Sequence, residues 1–465
     1  MTAKTNQNNV LQILKWVISL GVPLLIFLLV PTTEVVTLQM KGFMAITLWA
    51  ILVWVMDLIQ VYIAGILLNL FYILFGIAGA DVVFSPWTGS IIWLILGGLI
   101  IAVVFDKSGL MKRMAYFCIR KTGGSYKGIV IGMAVAGIIA ALLVPNITGR
   151  VTIFCAISYG ICKAMDLKPG TKTGIGIMFA GFNAGIGPRW VWMSGDDNIM
   201  IIAQHLKNAG IEVTWMQHLI SNALPALLWL VVSTGLILIL FKQDVQFSSK
   251  DHLEEESKAL GIMQIREKKM LIIIALVLLG MLFTKIDPGW LFMLGAAACF
   301  LPGIHISPIE DLQATNFPII IFTASCMAIG SVSNAVGFST MIGDLTLPLL
   351  GGASNFGMIL VAYAFGVIFN MFMTPMAATA ALVPSIIEMA GKLGLSAVGA
   401  SYGFVWGVQQ LFFPYEWVLF LILFSYGMFD NKTTLKWGSI RFVLATVFLC
   451  IIIIPFWMLT GFLKF

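Results

Sequence analysis

Apolar runs of about twenty residues recur along nearly the whole chain, and they restrict the fold more than any other feature. A run of that length matches the hydrocarbon thickness of a bilayer when it is helical. Barrel strands would instead alternate at period two in segments of about ten residues, and no such pattern is present. Only 10% of the 465 residues are charged while 60% are hydrophobic. A water-soluble chain of this size needs a far more polar surface. The expected class is an all-α polytopic membrane protein. Residues 1–10 are polar, and the run at 11–30 is too long for a signal-peptide core and lacks a small-x-small cleavage site, so it reads as the first spanning helix. The six cysteines form no CxxC pair, and the four histidines lack ligand spacing. They read as packing residues rather than a metal centre. No P-loop and no nucleophile–base set is visible, so an enzyme is not expected.

The basic residues are grouped. Six lie between Lys107 and Lys127, three between Lys163 and Lys172, six between Lys242 and Lys269, and three between Lys432 and Arg441. With Lys4 and Lys15 these make 20 of the 27. The positive-inside bias places them in the cytoplasm, with the N-terminus inside and the C-terminus outside a plasma membrane. The net charge of +6 reflects that bias, and no nucleic-acid partner is expected. Basic loops then flank both sides of residues 128–165, so both ends of that segment share one face. Each half is about fifteen residues before "VPNITGR" (144–150) interrupts it, too short to cross alone. A re-entrant hairpin satisfies both facts. Irregular chain at mid-membrane depth is tolerated only when buried in protein or lining a wet cavity.

The layout then repeats. Ser85, Gly109, Pro145 and Pro188 have counterparts at Ser307, Gly337, Pro375 and Pro414, offset by 222, 228, 230 and 226 residues. The second hairpin, around "FNMFMTPMAATAALVPS" (369–385), has a single Lys392 near it and should enter from outside. Two halves of opposite orientation mark an inverted-repeat transporter, with its site at discontinuous helices where the repeats meet.

The order of "WLILGGLIIAVVFDKSGLMKRMA", hairpin, "GFNAGIGPRW", charged loop, second hairpin and "FFPYEWVLFLILFSYGMFD" resembles the divalent-anion/sodium symporters, over nearly the whole chain. The resemblance implies a homodimer in the lipid bilayer, with about eleven spanning helices and two re-entrant hairpins per protomer. It implies an elevator movement and small anionic substrates: dicarboxylates, tricarboxylates or sulfate. The division that follows is scaffold at 1–127, transport domain at 128–241, a solvated charged connector at 242–269, scaffold at 270–357 and transport domain at 358–465. Members of that family carry Ser-Asn-Thr at each hairpin tip, contacting sodium and substrate. Here the first tip keeps only Asn146, with Thr148 one place late. The second reads Pro375-Met376-Ala377, flanked by Thr374 and Thr379. Sodium is the one ion the resemblance suggests, and no other cofactor is expected.

Two arginines stand where charge is costly. Arg150 follows the first tip and Arg189 follows the Gly-Pro break at 187–188. Buried at mid-membrane, each needs a partner or a functional reason. A guanidinium fork suits a carboxylate, so both are candidates to hold the anion or to replace sodium beside it. The alternative is an internal pair with Asp57, Asp196, Asp197 or Glu416. Half-helices starting at Arg150, Pro188 and Ala377 would add positive ends. The substrate candidates are Asn146, Thr148, Arg150, Gly187, Arg189, Thr374, Thr379 and Pro414. The candidates for ion binding or coupling are Asn146, Gly185, Asp196, Asp197 and Glu416, although Asp196 and Asp197 in "SGDDN" equally fit a turn and cap. The sequence therefore points to a secondary carrier for di- or tricarboxylates coupled to Na⁺ or H⁺, or working by exchange. A non-transporting sensor on the same fold and a cation/proton antiporter remain as alternatives.

Overall fold

The computed structural model describes all residues except 1, 57, 144–146, 246–249, 285, 343, 345–351, 353, 372–373 and 465. The expected Asp57, Pro145 and Asn146 positions therefore lie outside the described residues. Everything regular in the described residues is helical. The first half runs through α1 (Thr2–Leu29), α2 (Leu38–Val55), α3 (Val61–Leu74), α4 (Ser90–Lys107), α5 (Leu110–Lys121), α6 (Tyr126–Leu143), α7 (Ile147–Ala164), α8 (Lys172–Ile186), α9 (Asp197–Asn208) and α10 (Trp215–Leu240). After α11 (Lys250–Ala259) the second half runs through α12 (Ile265–Phe283), α13 (Pro288–Ala298), α14 (Phe317–Ala335), α15 (Asn355–Asn370), α16 (Pro375–Lys392), α17 (Ala397–Val408), α18 (Val418–Ser425) and α19 (Asn431–Phe448). Six helical stretches among the described residues are long and apolar enough to cross a bilayer. Leucines and isoleucines on α1 and α10 remain exposed, as lipid-facing walls require.

The second half repeats the element order of the first. Long helices α4 and α14 each end in a left-handed glycine, Gly109 at φ +83° and Gly337 at φ +76°. A side chain would be strained at either turn. Each half then has two hairpin arms, a helix that stops short (α8, α17), a non-helical break, a short continuation (α9, α18) and a long closing helix (α10, α19).

The hairpin arms are longer than the sequence suggests: α6 and α7 have 18 residues each. That many residues rise about 27 Å, so length alone does not make the segment re-entrant. Its neighbours are more informative. Cys162 Sγ on α7 donates to Gly174 O on α8 at 3.7 Å, and Arg150 Nε donates to Gly185 O at 3.2 Å. This antiparallel register brings the start of α7 level with the end of α8. In the second half, Asn355 Oδ1 accepts from Ser396 N and Asn370 Nδ2 donates to Gln410 O. That parallel register carries the end of α15 to the end of α17. The start of α7 and the end of α15 therefore each lie beside a helix break.

Three further expectations change. The helix after the first break begins at Asp197, not Pro188, and residues 187–190 form a single 3₁₀ turn. Similarly, α7 and α16 start at Ile147 and Pro375, ahead of Arg150 and Ala377. The 242–269 connector is not simply a solvated strand of chain. It contains α11, whose Leu253 is buried, and Glu267 on α12 is 2% exposed. Arg113 on α5 binds both Glu267 oxygens, at 2.8 and 3.2 Å, and donates to the carbonyls of Leu260 and Gly261. Finally, Arg441, counted above among cytoplasmic basic residues, is 4% exposed inside α19.

Candidate anion site where two helix breaks meet

The first break is shaped by small residues. An added Cβ on Gly185 would come within 2.8 Å of Val151 Cα, so only glycine lets α8 lie this close to α7. The close approach brings the exposed carbonyls at the end of α8 within reach of Arg150, the fourth residue of α7. Arg150 is fully buried; its Nε donates to Gly185 O and its Nη2 to Gly195 O at 2.7 Å. One side chain thus ties together both ends of the break. Thr148, two residues earlier on α7, is half-buried.

Asp196 is the hub. It caps α9 by accepting from Asn198 N at 2.9 Å, and it also accepts from Asn198 Nδ2 at 3.0 Å. Arg189 Nε lies 3.3 Å from Asp196 Oδ2, an ion pair with both side chains almost wholly buried. Gln409 Nε2, from the second break, donates to the same oxygen. The cap reading of "SGDDN" is therefore realised at Asp196. The internal pair is realised for Arg189. Because Asp196 already caps α9, the positive end of that helix is not open to an incoming anion. Asp197 is half-buried and faces a small cavity with Leu94, Leu99, Thr323, Met200 and Met376.

The second break is held from the opposite side. Arg441 Nη1 donates to Gln409 O at 3.1 Å and to Gln410 Oε1 at 3.0 Å. Its guanidinium lies 5.4 Å from the Trp229 ring centre and 5.5 Å from that of Trp437, where cation–π attraction offsets part of the lost hydration. Among the described residues Arg441 makes no ion pair. Pro414 and Glu416 form a 3₁₀ turn in this break. Glu416 Oε2 accepts from Phe412 N at 2.7 Å, while the buried Oε1 has no hydrogen-bond partner among the described residues. Thr374 caps α16 by accepting from Ala377 N. The Thr379 hydroxyl lies 2.8 Å from Pro375 O and 3.1 Å from Asn198 Oδ1, its one proton shared between the two acceptors. The second hairpin, the first break and the second break are therefore in direct contact.

Arg189 and Arg441 line one internal cavity together with Asn183, Gly187, Gln409 and Trp229. A Cβ on Gly187 would meet the end of the Leu230 side chain at 2.5 Å, a contact that leucine can relieve by moving. Of the expected residues, the structure gathers Arg150, Gly185, Gly187, Arg189, Asp196, Asp197 and Thr379 around the first break, with Pro414 and Glu416 at the second. Arg441, Gln409, Asn183 and Asn198 were not singled out from sequence. The Gln-Gln pair ahead of the Pro414 break was the available signal for Gln409. For Arg441 it was the Asp430 cap, which starts α19 and puts the arginine three turns inside it.

Sodium sites of the expected kind need several free oxygens. Among the described residues, Gly185 O, Gly195 O and Gln409 O accept from arginines, and Asp196, Thr374 and Thr379 are engaged as above. Those residues do not by themselves supply a sodium ligand set, and Asn146 lies outside the described residues.

Comparison with known proteins gives a consistent picture. The family described as "Sodium:sulfate symporter transmembrane region" matches residues 11–463. A "Membrane protein" of Cupriavidus necator is 23% identical over 398 residues, covering 79% of this chain and 76% of that one. The "Sodium-dependent dicarboxylate transporter SdcS" of Staphylococcus aureus is 26% identical over 238 residues. That match spans about half of either protein, 48% of this chain and 45% of the relative. The crystal structure of the Alcanivorax borkumensis YdaH transporter aligns with a TM-score of 0.51 at 14% identity, over 81% of this chain and 86% of that one; the likeness is one of fold. With the match running almost end to end, the chain belongs to the sodium:sulfate symporter family and is a multi-pass membrane transporter rather than an enzyme.

Proposed function

We propose that this chain is a secondary active carrier for small organic anions, di- or tricarboxylates above all, that works by an elevator movement. The observation that carries the reading is the pair of buried guanidinium groups, Arg189 and Arg441, on one cavity where both breaks meet; it has room for about one water, so an anion reaches them when the breaks move apart. Only Arg189 has a carboxylate partner there. Positive charge in a water-poor site is balanced by an arriving anion, and a carboxylate fits a guanidinium in two-point contact. The name of the Staphylococcus aureus relative supports dicarboxylates as the class.

The elevator reading is supported by which contacts are polar. Breaks and second hairpin are joined by hydrogen bonds from Asp196, Asn198, Thr379 and Gln409, as one body. On the scaffold side, Asn69 Nδ2 donates to Ser325 and Ser85 to Ser331, linking α3 and the 85–88 turn to α14. Where α4 and α14 face the second hairpin, the cavity wall is mostly apolar, from Leu94, Ile95, Leu99 and Ile319. An apolar wall suits sliding; a polar tie from the second hairpin to the scaffold, Lys392 Nζ donating to Thr340 O and Asp344 Oδ1, lies at the far end of α16 and must break in that movement. The proposed unit is a homodimer in the plasma membrane, with the basic loops and the N-terminus inside and the C-terminus outside. Its scaffold is residues 1–127 and 270–357, its transport part is 128–241 and 358–465, and 242–269 connects them. Glu416, with its unpartnered oxygen, is the proposed proton-coupling group.

The test is uptake of labelled succinate, malate, citrate and sulfate into proteoliposomes. Saturable uptake of at least one carboxylate, lowered at least tenfold by Arg189→Met, supports the reading. Flat uptake across the panel rejects it.

A further inference from the structure

We infer that both helix breaks of this chain carry a tethered arginine where a free coupling cation would otherwise sit, so that transport does not require sodium. The inference deepens the carrier reading and rests on it for its meaning, though not for its test.

Helices α8 and α17 both end inside the protein. A helix that stops inside a membrane protein leaves carbonyl oxygens without amide partners and presents the negative end of its dipole. With no bulk water available, those oxygens must be met by a donor or a cation. At the first break the donor is Arg150, which takes Gly185 O at the end of α8 and Gly195 O on the far side of the gap. At the second it is Arg441, which takes Gln409 O at the C-cap of α17. The two capped positions, Gly185 and Gln409, stand in the offset that relates the two halves. The two arginines do not correspond. Arg150 comes from a hairpin arm before its break, and Arg441 from the closing helix after its break. The same electrostatic need is thus met twice, from different helices.

A tethered guanidinium differs from an exchangeable ion in one respect. It cannot be released on the far side, so it holds the break together without contributing a gradient. It also repels a sodium ion that would approach the same oxygens. The names of the family and of the Staphylococcus aureus relative both include sodium, whereas in this chain arginines meet the carbonyls at both helix ends.

The experiment follows thermal unfolding of the full-length, detergent-solubilised protein by tryptophan emission. Sodium chloride is compared with choline chloride at equal ionic strength, with and without succinate or sulfate. The wild-type midpoint should be the same in both salts. Arg150→Ala and Arg441→Ala should unfold several degrees lower, and added sodium or guanidinium should restore part of the loss, because the carbonyls are now open. Arg150→Lys, which keeps a tethered cation, should remain insensitive to sodium. A saturable, sodium-specific rise in the wild-type midpoint would overturn the inference, even if the alanine variants cannot be purified. Uptake in proteoliposomes separates the two claims. Anion uptake that stops when choline replaces sodium overturns the inference and leaves the carrier reading standing. Absence of uptake in either salt counts against the carrier reading, while the thermal result still decides the inference.

Discussion

Asp196→Ala removes the carboxylate that joins the two breaks. The wild-type group caps α9, pairs with Arg189 and accepts from Gln409. Breaking a buried pair from one side costs about 3–5 kcal/mol, because the surviving charge remains buried and unpaired. Loss of an N-cap costs about 1 kcal/mol. The cap uses Oδ1 and the pair uses Oδ2, so the two add to a net loss of about 5 kcal/mol. Asp196→Asn keeps an acceptor for the Asn198 amide and should lose less. The partner test is Arg189→Met in the Asp196→Ala background: with no guanidinium left unpaired, the double variant should recover about 2 kcal/mol relative to the sum of the singles. The assay is chemical unfolding in detergent, followed by tryptophan emission for all four proteins. Wild-type stability in Asp196→Ala would refute the hub, and strict additivity in the double variant would refute the pair.

Arg113→Ala should destabilise the α5–α12 contact by about 3 kcal/mol, because it strands Glu267, which is 2% exposed; Arg113→Lys should recover only part, since a lysine cannot span both oxygens and the Leu260 carbonyl. Unfolding in denaturant checks both, and a neutral Arg113→Ala would contradict the arrangement. Slight burial opposes ionisation of Asp244, but hydrogen bonds from Lys172 N, Thr173 N and the Thr173 hydroxyl outweigh it and hold its carboxyl below the ordinary value. A depressed folded-state value means that the contact is at full strength above the unfolded value of about 3.9 and is lost as pH falls through the folded one. Hydrogen exchange should therefore find the Lys172 and Thr173 amides protected at neutral pH and released by Asp244→Ala; equal protection in both proteins would contradict the contact.

The architecture was legible because its signals are long. Twenty-residue apolar runs, the breaks marked by Pro188 and Pro414, and the glycines at 109 and 337 act through local backbone physics. The site was less legible because its residues depend on which carbonyls come near. Arg150 and Arg189 were conspicuous as charges in apolar surroundings. Nothing local indicated that one would bind carbonyls and the other a carboxylate. Arg441 was misplaced because it lies within ten residues of Lys432 and Lys436, so a count of basic residues assigns it to the loop. Only the extent of α19 puts it inside. The start of α9 was misread for a related reason. Pro188 is a good first helical residue, but the chain runs through two short 3₁₀ turns, the second ending at Gly195, before Asp196 caps the helix.

The claim on which the account depends is that the second hairpin and the helix after the first break touch inside the protein. Cysteines introduced in the Thr379→Cys, Asn198→Cys double variant replace side chains whose oxygens lie 3.1 Å apart, and five of the six native cysteines are buried. Mild oxidation in membranes, followed by mass spectrometry, should recover the 198–379 disulfide in the double variant and in neither single one. Its absence under conditions that oxidise an exposed control pair would contradict the meeting of the two halves.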